Sequence, residues 1–162
     1  MTSSLRNSTL CFLIKKSTNT NEACLALKKR GFGVGRWNGV GGKVELGESI
    51  EDAVKREAFE EIGVRVIEIK KFAELTFLFP DNPGWNQLVH VYICSKWEDE
   101  PVESEEMKPE WYEVSKIPYK EMWVDDELWL PKVLEGKEIT GTFCFGPNDV
   151  LLEHCIVEVL EL

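Results

Sequence analysis

Apolar and β-branched residues gather in short runs along most of this chain, and one segment alone carries a clear helical period. Thr9–Lys15 (TLCFLIK) and Ala23–Lys28 (ACLALK) read as a strand pair joined by a polar turn at 17–21. Val64–Phe79 and Leu88–Lys96 are rich in β-branched and aromatic residues and predict two strands, with a loop at Pro80–Trp85 between them. The glycine-rich stretch 29–42, which holds Phe32, Trp37 and Asn38, predicts a loop that passes close to something. A long acidic segment, 98–110, leads into a short strand at Trp111–Val114. Ile139–Phe145 and Val150–Leu160 predict two closing strands. Asp125–Gly136 predicts a second helix, capped by Asp125 or Asp126 and ended by Gly136; Pro131 argues against it, lying beyond the first turn where proline is tolerated. Strands flank two helices without a regular βαβ alternation, so the expected class is mixed α/β in one domain, 1–162.

The helical segment is Ser49–Ile62. Ser49 suits its N-cap, Asp52 stands where a capping box places its acid, and Gly63 follows as a C-cap. At roughly 100° per residue, Glu57, Glu60 and Glu61 share an arc of about 120° with Ile50, Ala53 and Val54. A surface helix normally sets its carboxylates opposite the apolar stripe, and three at i, i+3 and i+4 repel one another. A cation would relieve that repulsion. Hard divalent ions take oxygen ligands and commonly sit between carboxylates and substrate phosphates. The pattern therefore predicts a divalent-metal site that works on a phosphorylated substrate, with an acidic, solvated helix end as the plain alternative.

Composition narrows the partners. With 162 residues, 43% hydrophobic and 30% charged, the chain is that of a soluble globular protein. No apolar run approaches the length of a membrane span. The N-terminus MTSSLRNST lacks the regions of a secretory signal, so a cytoplasmic location is expected. A net charge of −10 argues against a protein that coats nucleic acid. Lys28, Lys29, Arg30, Arg36 and Lys43 nonetheless cluster just before and at the start of the 42–64 stretch that carries the acidic helix, and next to its carboxylates they predict a phosphate entrance. Five cysteines without a C-x-x-C pair predict buried, reduced thiols, and His90 and His154 are isolated enough to be structural.

The segment Gly42–Val64 fits G-x5-E-x7-R-E-U-x-E-E-x-G-U, where U is apolar, through Gly42, Glu48, Arg56, Glu57, Ala58, Glu60, Glu61, Gly63 and Val64. This resembles the signature of the Nudix hydrolases, enzymes that cleave nucleoside diphosphates linked to another group. The resemblance implies an α/β/α sandwich with the box at 42–64. It also implies Mg²⁺, for which Mn²⁺ would substitute, held by Glu57, Glu60, Glu61 and the Gly41 carbonyl. A further carboxylate usually arrives from a later loop, and Glu106 is the candidate. Glu61 is the first choice of general base and Glu106 the second. Glu48 and Arg56 are expected as the ion pair that orients the ligand face.

Further segments resemble the oxidised-purine nucleoside triphosphatase (8-oxo-dGTPase) branch of that family: Lys28–Lys43 (KKRGFGVGRWNGVGGK), Pro101–Pro109, Met122–Pro131 (MWVDDELWLP) and Gly141–Phe145. The residue chemistry agrees. Trp123 offers a stacking face to a purine, and adjacent Asp125 and Asp126 can accept and donate along a base edge if one is protonated. The plain alternative is that the pair only caps the second helix. By analogy Asn38 meets the base edge, Phe32, Phe77 and Met107 wall the pocket, and Thr9 and Lys28 line the sugar and phosphate side. Val124, Leu88 and the longer 80–85 loop depart from the branch. The expected activity is conversion of triphosphates such as 8-oxo-dGTP or 2-hydroxy-dATP to monophosphate and pyrophosphate. It would be carried out by a monomer on a small-molecule nucleotide. The alternatives are a hydrolase of dinucleoside polyphosphates or nucleotide sugars, and a silent nucleotide-binding module.

Overall fold

The computed structural model describes residues 5–162; the first four residues of the N-terminal stretch lie outside it. Eight strands and two α-helices follow the chain in the order β1 (Arg6–Lys16), β2 (Asn21–Lys28), β3 (Trp37–Asn38), α1 (Ile50–Ile62), β4 (Arg65–Leu78), β5 (Gln87–Glu98), β6 (Met107–Glu113), α2 (Asp126–Leu134), β7 (Glu138–Phe145) and β8 (Leu151–Val159). The strands form a mixed sheet in the order β3-β2-β1-β5-β4-β7-β8, and β6 pairs with β2. The arrangement is the α/β/α class, with a separate core on each side of the sheet. One core packs α2 residues Trp129, Leu130 and Val133 against Phe12, Leu75, Val91 and Phe143. The other packs α1 residues Val54, Ala58 and Ile62 against Cys11, Leu13, Tyr92 and Cys94. β1 supplies both, which is why its sequence is apolar almost without alternation.

β1 also divides the sheet. Residues 6–13 run parallel to β5, and only 14–16 pair with β2. The segment after β3 fills the fork, with bridges Cys11 to Val40 and Ser8 to Lys43. Main-chain bonds hold it there: Thr9 N to Gly42 O at 2.8 Å, Cys11 N to Val40 O at 2.7 Å and Val44 N to Asn7 O at 3.0 Å.

Several expectations need correcting. β3 lies inside the predicted loop, and β6 begins at Met107 within the predicted acidic segment, because both draw their hydrogen bonds from β2. The 80–85 loop closes on a 3-10 turn at Pro83–Trp85. Pro131 sits inside α2, which ends at Leu134, and Gly136 follows with φ +89°. Neither Asp125 nor Asp126 caps that helix through its side chain. All five cysteines are free, but Cys144 is half-buried and Cys155 is exposed on the edge strand β8. His90 packs between Asn7 Oδ1 and Lys71 Nζ, each 2.9 Å from a ring nitrogen, and burial lowers its pKa. No helix among the described residues is long and apolar enough to cross a membrane.

Candidate active site

Local sequence sets α1 firmly. Ser49 is extended and its Oγ accepts from Asp52 N at 3.1 Å, while Gly63 takes the left-handed conformation and donates to Phe59 O. The helix buries Ala53, Val54, Ala58, Ile62 and, among them, Glu61. That carboxyl is 2% exposed, and its Oε2 is buried without a hydrogen-bond partner. Burial first, then the neighbouring Glu57 carboxylate, pushes its pKa up to about 9. Glu57 is half-buried, but Glu60, expected on the same inward arc, is exposed.

Arg56 organises the outer part of this helix. It donates to both oxygens of Glu48, at 2.8 Å and 3.0 Å, and to Lys43 O at 3.0 Å. Its Nη1 also lies 2.7 Å from Glu57 Oε1 and 3.3 Å from Glu60 Oε2. The hydrogen bonds from Arg56 hold the Glu48 carboxyl below its usual range. One guanidinium therefore partly neutralises three clustered acids and fixes the lateral position of two of them.

The glycine fork comes close to these acids. A Cβ on Gly41 would collide with the Thr9 carbonyl, and one on Gly42 would stand 2.6 Å from Glu57 Oε1. Only bare backbone passes here. The donor set suits a hard cation: oxygen ligands on Glu57 and Glu61, an unpartnered buried oxygen on Glu61, and peptide carbonyls beside them. Among the described residues, no three carboxylates converge tightly enough to form a ligand cluster as they stand. Glu106 is partly exposed, 3.4 Å from Arg30, although its charge still contributes to raising the Glu61 pKa.

The expected phosphate entrance is smaller than its five cations. Lys29 is bound to Glu103 at 2.6 Å, and Arg30 lies against Glu105 and Glu106. Arg36 pairs with Asp149 at 2.9 Å and lies over the Trp123 ring, 4.0 Å from its centroid. Lys28 and Lys43 remain on the wall of the main cavity.

That cavity holds about 480 Å³ between the sheet, the 29–36 loop and the start of α2. Thr9, Lys28, Phe32, Asn38, Phe77, Met107, Trp123, Asp125 and Asp126, all expected at the substrate, line it, and Gly41 joins them. Glu57, Glu60, Glu61 and Glu106 lie outside its lining, beyond the glycine fork. Phe77 stacks on Phe143 at 5.3 Å, so it serves wall and core together. Phe32 stacks on Trp123 at 5.1 Å, and the next residue, Gly33, turns the loop beside the indole at φ +84°, a conformation that favours glycine.

Asp125 and Asp126 share the cavity wall with Lys28 and Lys43. Both are 2–3% exposed. Asp125 Oδ2 accepts from Trp129 Nε1 at 2.7 Å, whereas Asp126 Oδ2 has no partner. Burial raises both pKa values; the indole opposes the rise at Asp125, and the Asp125 charge adds to it at Asp126. The two carboxyls titrate as one coupled pair, and with a single proton between them one is neutral and the other ionised. The pair thus presents an acceptor and a donor side by side.

Residue reasoning missed Arg6, Ser8, Trp85 and Gln87, which also line the cavity. Arg6 and Ser8 alternate with Leu10 on one face of β1, a period-2 signal present in the sequence. Gln87 arrives there because β5 pairs in register with Arg6.

A carboxylate helix held against glycine backbone, beside a nucleotide-sized cleft, defines a phosphoanhydride-hydrolase architecture. The chain belongs to the Nudix family, whose NUDIX domain matches residues 5–133. Members of that family work with a divalent metal. Over 140 residues the chain is 46% identical to the oxidized purine nucleoside triphosphate hydrolase of Danio rerio, covering 85% of this chain and 88% of that one. It is 43% identical over 135 residues to the Mus musculus protein of the same name, covering 83% and 86%. A crystal structure of a mutator MutT protein from Bacillus halodurans superposes with a TM-score of 0.79 at 27% identity, covering 94% of this chain and 97% of that one.

Proposed function

We propose that this protein is a Mg²⁺-dependent pyrophosphohydrolase that converts oxidised purine nucleoside triphosphates to the monophosphate and pyrophosphate. It would act as a monomer in the cytoplasm and keep damaged purines out of the nucleotide pool. The observation that carries the reading is the buried Asp125–Asp126 pair beside Trp123, in one cavity with the Gly41–Lys43 backbone. The similarity to the Danio rerio and Mus musculus enzymes supports the same substrate class.

In this reading the base enters flat against Trp123, with its hydrogen-bonding edge toward Asp125, Asp126 and Asn38. With one proton shared by the pair, one carboxyl donates while the other accepts, a pairing that an oxidised purine edge can match. Lys28 and Lys43 draw the phosphates toward the glycine fork. There Glu57, Glu60 and Glu61, with the Gly41 carbonyl and Glu106, would hold Mg²⁺, and Arg56 with Glu48 would keep the ligands aligned. When bound, the ion supplies neutralisation of the phosphate oxygens and polarisation of water. Burial and Glu57 keep Glu61 protonated while no cation is present, and a bound cation would restore its carboxylate. In that form Glu61, or Glu106 in second place, would accept the water's proton as the water oxygen bonds to the α or β phosphorus. The bond from the attacked phosphorus to the oxygen that bridges the α and β phosphates breaks. The electron pair leaves with the departing group, pyrophosphate if the α phosphorus is attacked and the monophosphate if the β phosphorus is.

The direct test is hydrolysis of 8-oxo-dGTP with Mg²⁺ in ¹⁸O-labelled water, followed by ³¹P NMR. The reading predicts 8-oxo-dGMP and pyrophosphate, with the label in one of the two. Release of inorganic phosphate, or turnover confined to dinucleoside polyphosphates, would contradict it.

A further inference from the structure

Five aromatic side chains line the cavity and touch in a closed circuit. Trp123 stacks on Phe32 at 5.1 Å, Phe32 meets Trp85 edge-on at 5.3 Å, and Trp85 meets Phe79 at 5.7 Å. Phe79 stacks on Phe145 at 5.4 Å, and Phe145 returns to Trp123 at 6.2 Å. These rings come from separate parts of the chain, so the circuit is a product of tertiary structure. Its floor is buried, with Phe79 at 7% and Phe145 at 1% exposure. Its rim is open: Phe32 is 50% exposed and Trp85 42%. Large apolar faces left in water beside a cavity become favourable contacts when a flat apolar ligand covers them.

Trp85 is also held ready rather than loosely attached. Its own N donates to Asn82 O at 2.9 Å, Asn86 N donates to Pro83 O at 3.1 Å, and Phe79 N donates to Asn86 Oδ1 at 2.6 Å. These bonds tie both ends of the 3-10 turn to the end of β4. Pre-positioning of this kind lowers the ordering cost of binding.

We propose that Trp85 is a base-binding residue that completes an aromatic collar around the fused bicyclic ring of a purine. This deepens the function proposed above and rests on it for the identity of the base. Trp123 and the Asp pair read one side and one edge of the ring, and Trp85 with Phe32 covers the rim. A fused bicyclic ring offers these aromatic faces more apolar area than a single-ring pyrimidine does. The indole therefore favours purines over pyrimidines as well as tightening binding.

The test is metal-free calorimetric binding of 8-oxo-dGMP, with thymidine monophosphate as the pyrimidine control, so that no catalytic step is involved. Trp85→Ala should weaken 8-oxo-dGMP binding about tenfold, the scale of one lost base–aromatic contact, and change the control by less than about twofold. Trp85→Phe, which keeps a flat face, should recover most of that loss. Trp85→Leu retains apolar packing on Phe79 without a flat face, and should resemble the Ala variant; it carries the test if Trp85→Ala does not fold. A purine Kd that stays within about twofold of wild type in the folded Ala or Leu variant overturns the proposal, as does an equal loss for both nucleotides. Purine-selective loss of binding in a protein that hydrolyses no triphosphate would uphold the collar and reject only the hydrolytic reading.

Discussion

Glu61 and Asp126 are each buried with one unpartnered oxygen, and they contribute to different parts of the site. Glu61 lies against Glu57 and the glycine fork, where a cation would use both charges. Glu61→Gln should lower kcat more than about a hundredfold, as loss of a metal-bound acid or base does, while leaving the thermal midpoint unchanged or raised. Full activity in this variant would remove Glu61 from the ligand set. Asp126 faces the base end, and its pKa is raised by burial and by Asp125. In the unfolded chain it ionises near pH 4. In the fold it keeps its proton to higher pH, so wild-type stability is fully present below about pH 4 and falls as pH rises toward the folded pKa. Asn does not titrate. The thermal midpoint of Asp126→Asn should therefore gain on wild type between pH 4 and pH 8, by roughly 2–4 °C if the difference reaches about 1 kcal/mol. A gap that is flat or narrows with pH would contradict the assignment.

At the scale of elements, what could be read from sequence was what local chemistry decides. The caps of α1, its carboxylate-bearing face and the long strands all follow from nearby residues. β3 and the start of β6 could not be read this way, because each exists through hydrogen bonds to β2. The burial of the Asp pair could not be read locally either: the partner of Asp125, Trp129, lies one turn along α2 and belongs to the core on that side of the sheet. The inward arc of α1 predicted Glu57 and Glu61 correctly as partly or fully buried. Glu60 escapes to solvent because Arg56 pairs with it at the helix surface. The fork makes its own demand on sequence. Gly41→Ala would drive a Cβ into the Thr9 carbonyl, so β1 and the box loop must separate. We expect a loss of about 1–3 kcal/mol in urea unfolding, the usual scale of enforced overpacking. An unchanged midpoint would show that the fork opens freely.

Across the whole molecule, the two cores correspond to two tasks. The α1 side carries the acids, the α2 side carries the cavity proposed to take the base, and the Gly41–Lys43 segment joins them. Cavity residues such as Asn38, Trp123 and Asp125 could be named from sequence because each has a distinctive chemistry in a recognisable segment. Trp85 and Gln87 could not, since a 3-10 turn and strand register bring them in. The division predicts that Trp123→Ala raises KM for an oxidised purine triphosphate about tenfold or more and leaves kcat within a few-fold. A parallel collapse of kcat would show that base stacking also aligns the reacting phosphates. The central claim is that this chain hydrolyses purine triphosphates and selects the oxidised ones through the α2-side pocket. Its most direct test is kcat/KM for 8-oxo-dGTP and dGTP measured side by side with Mg²⁺. A ratio well above about tenfold, with pyrophosphate as the product of both, is the predicted result; a ratio at or below about one would contradict the account.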